Sequence, residues 1–121
     1  MISYNDIGGA NMPKKAMEIL TESMFYVLMS LTKGDRCGTD IADDVEKITG
    51  GRVIIGPATL YTLLGKFEKE KLIREVRIDG RKRTYCLTAK GRDAYDAELE
   101  RLMACVRNAR ETAGEEVDAD E

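Results

Sequence analysis

Apolar residues recur along this chain at helical spacing, then at strand spacing, then at helical spacing again. From Thr21 onward, Met24, Phe25, Tyr26, Val27, Leu28, Met29 and Leu31 make a stretch that is apolar almost all round. Such a helix has to be buried on most of its surface, by its own domain or partly by a second subunit. Thr21 suits its N-cap, with Glu22 in the first turn, and Thr32-Lys33-Gly34-Asp35 ends it. Gly38-Thr39-Asp40 opens a second helix, with Asp40, Asp43 and Asp44 early enough to suit the positive end of its dipole. Ile41, Val45 and Ile48 give it a single buried stripe, and Thr49-Gly50-Gly51 stops it. Arg52-Val53-Ile54-Ile55 reads as extended, either a short β-bridge or part of the turn. Ahead of all this, residues 1–12 show no periodicity and are expected to form a flexible arm. Pro13 suits a helix start, followed by apolar Ala16, Met17, Ile19 and Leu20.

The third helix begins at Gly56-Pro57 and has two unlike faces. Leu60, Leu63, Leu64 and Phe67 share one side. At about 100° per residue the opposite side carries Ala58, Thr62, Gly65 and Lys69, flanked by Thr59, Tyr61 and Lys66. That outer face is small, polar and cationic. Small residues allow close approach to another surface, and hydroxyls and lysines are groups that phosphates bind.

Alternation follows from Leu72 to Thr88. Two β-prone runs flank Asp79-Gly80, a dipeptide suited to a tight hairpin turn. Leu72, Val76 and Ile78 alternate with Arg74 and Arg77 in the first run, and Tyr85 and Leu87 with Thr84 and Cys86 in the second. Arg81, Lys82 and Arg83 come directly after the turn, where like charges repel and core packing gives no reason for them. Thr88 then caps a last helix running to about Thr112. Its apolar positions Tyr95, Leu99, Leu102, Val106, Ala109 and Ala113 step by fours and threes, the spacing of a coiled-coil seam, and Met103 widens the stripe. This seam packs on its own core or on a partner.

Charge sharpens the picture. The formal net charge is −3, yet residues 111–121 hold six acidic side chains and no basic one, an acidic tail expected to be disordered. Between Lys66 and Arg92 ten basic residues face four acidic ones. A basic block on a near-neutral body is the footprint of a polyanion-binding surface. At 121 residues the chain makes one modest domain, with no apolar run of membrane-spanning length and no signal-peptide layout, so a cytoplasmic protein with no membrane partner is expected. There is no histidine, which removes the commonest general base and metal ligand. Cys37, Cys86 and Cys105 have neither disulfide-framework nor zinc spacing, and no metal or other cofactor is expected.

Three helices, a basic two-stranded hairpin and a long helix, in that order, predict a mainly α, α+β fold. It is a winged helix-turn-helix with a two-stranded β wing and a long C-terminal helix, a dimerisation helix where its seam meets a partner. The expected organisation is an arm at 1–12, a DNA-binding domain at 13–88, the dimerisation helix at 89–112 and the tail at 113–121. Contacts with double-stranded DNA are expected from Ala58, Thr59, Tyr61, Thr62, Lys66 and Lys69 on the third helix. The hairpin adds Gly80, Arg81, Lys82, Arg83 and Tyr85. The Tyr61 hydroxyl is expected on a phosphate.

Three segments also resemble the PadR family of bacterial transcriptional regulators. They are LTESMFYVLMSL (Leu20–Leu31), GPATLYTLLGKFEKEKLI (Gly56–Ile73) and DGRKRTYCLTAKG (Asp79–Gly91), and the likeness extends over about Leu20 to Arg110. The resemblance implies a dimeric winged-helix repressor of the smaller subfamily, with Thr59, Tyr61 and Thr62 toward DNA and Gly80 to Arg83 as the wing. It further implies a two-fold interface built by the last helix with the N-terminal one. That assigns Met24, Phe25 and Leu28 to the interface beside Tyr95, Leu99, Leu102, Met103 and Val106. Some members stack planar drugs on tryptophan, which this chain lacks. Others respond to phenolic acids through a larger C-terminal domain that is missing from this sequence, so a small-molecule effector stays unassigned. The competing readings are a winged-helix protein-interaction module and a thiol-based metal or redox sensor using Cys37, Cys86 or Cys105. An enzyme is disfavoured, because no phosphate loop, nucleophile–histidine pair or carboxylate cluster outside the tail is present.

Overall fold

The computed structural model describes residues 19–114. The expected arm, the helix start at Pro13 and the acidic residues from 115 onward lie outside the described residues.

Helix α1 (Glu22–Thr32) is capped by Thr21, whose Oγ1 accepts the Met24 N–H at 3.2 Å. Strand β1 (Arg36–Cys37) leads directly into α2 (Gly38–Ile48). Helix α3 (Pro57–Lys69) follows, with Pro57 in its first turn, where a missing N–H costs nothing. Strands β2 (Ile73–Asp79) and β3 (Lys82–Leu87) form the hairpin, and α4 (Ala89–Thr112) completes the fold. Thr88 caps α4 as expected, accepting the Gly91 N–H at 3.0 Å.

The sheet has three strands in the order β1-β3-β2, both pairings antiparallel. The expected two-stranded wing is β2 with β3, and β1 adds a third strand that the sequence pattern does not show. Its two residues carry no alternation; they become a strand only because β3 offers a free edge, placing Arg36 opposite Tyr85 and Cys37 opposite Thr84. Residues 52–55 are irregular and form no bridge, with Val53 and Ile55 buried and Ile54 turned outward. The hairpin turn is also one residue later than Asp79-Gly80. Asp79 pairs with Lys82, so Gly80 and Arg81 are the central residues, and the positive φ of +62° falls on Gly80 alone. That is the arrangement of a type II′ turn.

Val27, Leu28, Ile41, Val45, Leu64 and Phe67 lie at the centre of the core, covered by Leu72, Ile73 and Tyr85 from the sheet side. Burial of each large side chain stabilises by about 1.5–3 kcal/mol. Two apolar patterns end differently from expectation. Ile48 is exposed at the end of the α2 stripe. Val76 and Ile78 are exposed as well, because a register irregularity between Glu75 and Arg77 breaks the alternation and the far half of the hairpin projects beyond the helices.

A partly buried ionic cluster ties α1 to α2. Lys33 Nζ donates to both Asp44 carboxylate oxygens at 2.8 and 3.1 Å, and Arg36 Nε donates to the Ser30 carbonyl at 3.1 Å. Burial alone would raise the Asp44 pKa. The hydrogen bonds from Lys33 and the charges of Arg36 and Lys33 outweigh it, holding the carboxyl below its ordinary value. The chain entering α3 is fixed from the other side. Arg52 donates to Glu22 at 2.7 Å and to the Tyr26 hydroxyl at 3.1 Å, and Thr49 Oγ1 accepts the Val53 N–H at 3.0 Å.

Candidate nucleic-acid interface

Helix α3 buries Leu60, Leu63, Leu64 and Phe67, and this single choice turns everything else outward. Ala58, Thr59, Tyr61, Thr62, Gly65, Lys66 and Lys69 are all exposed. Beside this face the hairpin tip stands free, with Gly80, Arg81, Lys82 and Arg83 exposed. Helix and hairpin are separated by a cleft of about 530 Å³, with Tyr61 and Gly65 on one wall and Arg81, Lys82 and Arg83 on the other.

The cations of this surface are not equivalent. Arg77 pairs with Asp79 at 3.1 Å, and Arg83 with Glu75 at 3.4 Å. Hydrogen bonding to the Tyr85 hydroxyl and then the Glu75 charge raise the Arg83 pKa. Lys66, Lys69, Arg81 and Lys82 have no ion-pair partner among the described residues. Four unpaired cations beside an uncovered helix leave this surface poised for an anion.

Tyr85 does not belong in that set. It is 2% exposed, with its ring in the core, so it lines the inner end of the cleft and offers almost no surface to a partner. Strand alternation with Leu87 puts Tyr85 on the core side of β3, a signal already present in the sequence pattern. The sequence reading also missed the floor of the cleft. Cys37, Gly38 and Thr39, at the start of α2, line it. A Cβ on Gly38 would come within 2.9 Å of the Tyr61 hydroxyl oxygen, so the glycine makes room for the ring to lean across α2.

The fold and the interface fit a family comparison. The model of the "Transcriptional regulator PadR-like family" matches residues 27–97, more than half of the chain. This chain belongs to that family. PadR-like proteins are regulators of transcription, not enzymes, and the winged-helix architecture is shared with solved regulators. A transcriptional regulator from Clostridium thermocellum is 23% identical, with a TM-score of 0.66 over 74% of this chain and 87% of that one. RosR of H. salinarum is 27% identical, with a TM-score of 0.64 over 74% of this chain and 79% of that one. A Streptomyces fradiae protein described as an uncharacterized 37.1 kDa protein in transposon TN4556 is 34% identical over 77 residues. The match takes in 64% of this chain and 22% of that protein, so the chain spans about a fifth of that relative's length.

On this PadR-like chain, α4 has an apolar sector wider than the rest of the chain covers among the described residues. Leu102 packs against the core, and Tyr95 stacks on Phe25 with ring centroids 5.0 Å apart and planes 12° from parallel. Leu99, Met103 and Val106 remain 37%, 51% and 53% exposed along the neighbouring stripe. A groove of about 400 Å³ runs there between Leu102, Met103, Val106, Arg107 and Arg110. The α1 residues assigned to an interface behave differently. Leu28 is wholly enclosed and Phe25 is 9% exposed, so both are spent within the protomer and have no surface to offer a partner. Met24 is half-buried and keeps some. The reason is that α1 packs on α2, α4 and the sheet at once.

Cys37 is buried with its Sγ 3.3 Å from Thr39 Oγ1, Cys86 is half-buried and Cys105 exposed. No group of three or more metal-ligating side chains occurs among the described residues. Nor is any described helix long and apolar enough to cross a membrane.

Proposed function

We propose that this regulator is a cytoplasmic homodimer that binds double-stranded DNA sequence-specifically and represses transcription from an inverted-repeat operator. The observation that carries this reading is the set of unpaired cations, Lys66, Lys69, Arg81 and Lys82, around the uncovered face of α3. Helix α3 would enter a major groove with Ala58, Thr59 and Thr62 toward the bases. Tyr61 would flank it with its hydroxyl on a phosphate, and the wing would reach along the backbone beside it. Two such helices in a symmetric pair meet successive major grooves about 34 Å apart, which is why an inverted repeat is expected. The exposed Leu99, Met103 and Val106 supply the surface for that pairing.

Anisotropy titration of selected genomic fragments against salt, with excess non-specific DNA, tests this. Removing Arg81 or Lys82 should lower affinity for all sequences alike and reduce the salt slope by about 0.9 for each phosphate no longer neutralised. Removing Arg77, already paired with Asp79, should change the slope less. A protein that holds no duplex even in dilute buffer would overturn the reading, and the protein-interaction alternative would replace it.

A further inference from the structure

This inference rests on the DNA-binding reading just given and concerns what the interface reads. In a helix-turn-helix protein the N-terminal part of the recognition helix faces the base edges. Here that part presents Ala58, Thr59, Tyr61 and Thr62 to solvent. None carries the guanidinium, ammonium or amide that grips guanine or adenine by two hydrogen bonds, and none has a carboxylate to accept from cytosine. The segment leading into the helix does not supply one either. Val53 and Ile55 are buried, Ile54 is 69% exposed, and Arg52 is engaged by Glu22 and Tyr26. The lysines of α3, Lys66 and Lys69, lie in its last turn.

What this face does offer is methyl groups, the Cβ of Ala58 and the Cγ2 of Thr59 and Thr62. Positions 58 and 62 are about 40° apart around the helix and so form the middle of the outer face. Threonine hydroxyls pair with any base and discriminate little, whereas a methyl has one distinctive counterpart in the major groove, the C5-methyl of thymine. We propose that base recognition in each operator half-site is carried by contacts of the Ala58, Thr59 and Thr62 methyl groups with thymine methyls. The cations of α3 and the wing hold phosphates and add affinity without choosing sequence. The half-site therefore carries thymines where α3 crosses the groove.

Replacing thymidine by deoxyuridine, position by position, in a duplex selected by the protein removes the methyl and keeps every hydrogen bond. Affinity should fall roughly fourfold for each contacted thymidine, the factor that burial of one methyl-sized group supplies. The double variant Thr59→Ser/Thr62→Ser keeps both hydroxyls and drops both methyls, so it should bind thymine and uracil duplexes more nearly alike. Thr62→Val keeps the methyl and should preserve the discrimination. Circular dichroism confirms that each variant is folded. Wild-type protein that binds its duplex yet ignores uracil at every position would overturn the proposal, as would a serine variant that discriminates as well as the wild type. Failure to bind any duplex would instead overturn the DNA-binding reading beneath it.

Discussion

The carbonyl oxygen of Leu72 lies so close to the α carbon of Gly91 that no methyl group fits between them. A Cβ at Gly91 would also come within 2.8 Å of the Leu87 side chain. Here the chain leaving α3 meets the first turn of α4. The Thr88 N–H donates to that same Leu72 carbonyl at 3.0 Å, and the Thr88 hydroxyl donates to the Lys71 carbonyl at 2.8 Å. Lys71 itself has a φ of +65°, uncommon for a residue with a side chain. Helix α3, wing and last helix are thus locked together at one junction.

Gly91→Ala should therefore destabilise, although alanine is the better helix former by about 1 kcal/mol. Overpacking against a backbone oxygen costs about 1–3 kcal/mol, and Leu72 is held by the hydrogen bond from Thr88. The expected result is a lower denaturant midpoint with an unchanged slope. A midpoint equal to or above the wild type would show that the junction yields easily.

The mid-helix glycine of α3 should behave in the opposite way. A Cβ at Gly65 would meet nothing within 4 Å, so the protein itself has no packing reason for a glycine there. Gly65→Ala should raise stability by about 0.5–1 kcal/mol. Yet Gly65 lines the cleft opposite Arg81 and Lys82, and if DNA binds as proposed, its small size lets a phosphate backbone come close there. DNA affinity should fall as thermal stability rises. Equal affinity would mean that no strand passes near Gly65.

The main fold was legible because its periodicities were set by burial. The Leu60, Leu63, Leu64 and Phe67 stripe predicts which side of α3 is hidden, and hence which side is open. What the pattern could not show depended on tertiary context. Arg36–Cys37 is a strand only by pairing with β3, and Leu28 is enclosed by three different elements. The Lys33–Asp44 pair joins residues eleven apart; the helical wheel sets Asp44 nearer the buried stripe than Asp40 or Asp43, but it does not say which cation meets it.

That pair gives the stability a predictable acid limb. The folded Asp44 pKa is depressed, so its contribution is fully present above the unfolded value of about 3.9 and is lost as pH falls through the folded one. Stability should decline with falling pH from about pH 5 downward. Asp44→Asn should cost about 1–3 kcal/mol at neutral pH and flatten that decline. The cost stays below that of a fully buried pair because the Lys33 side chain is 48% exposed. Urea titrations of both proteins between pH 3 and 7 provide the comparison, and parallel curves would assign the acid limb to other carboxylates.

Enclosed apolar residues of α1 and exposed ones of α4 should answer the same substitution in opposite ways. Leu28 is wholly enclosed within the protomer, so Leu28→Asp should unfold the chain. Met103 and Val106 are about half exposed, so an aspartate there leaves the protomer's own core intact. If α4 pairs with a second copy, Met103→Asp or Val106→Asp buries a charge in that interface and should yield a folded monomer. Sedimentation should show half the wild-type mass with unchanged helical circular dichroism. Operator affinity should fall steeply as well, because two half-sites are then no longer held by one molecule. A wild-type protein that already sediments as a monomer would leave the exposed stripe without this role.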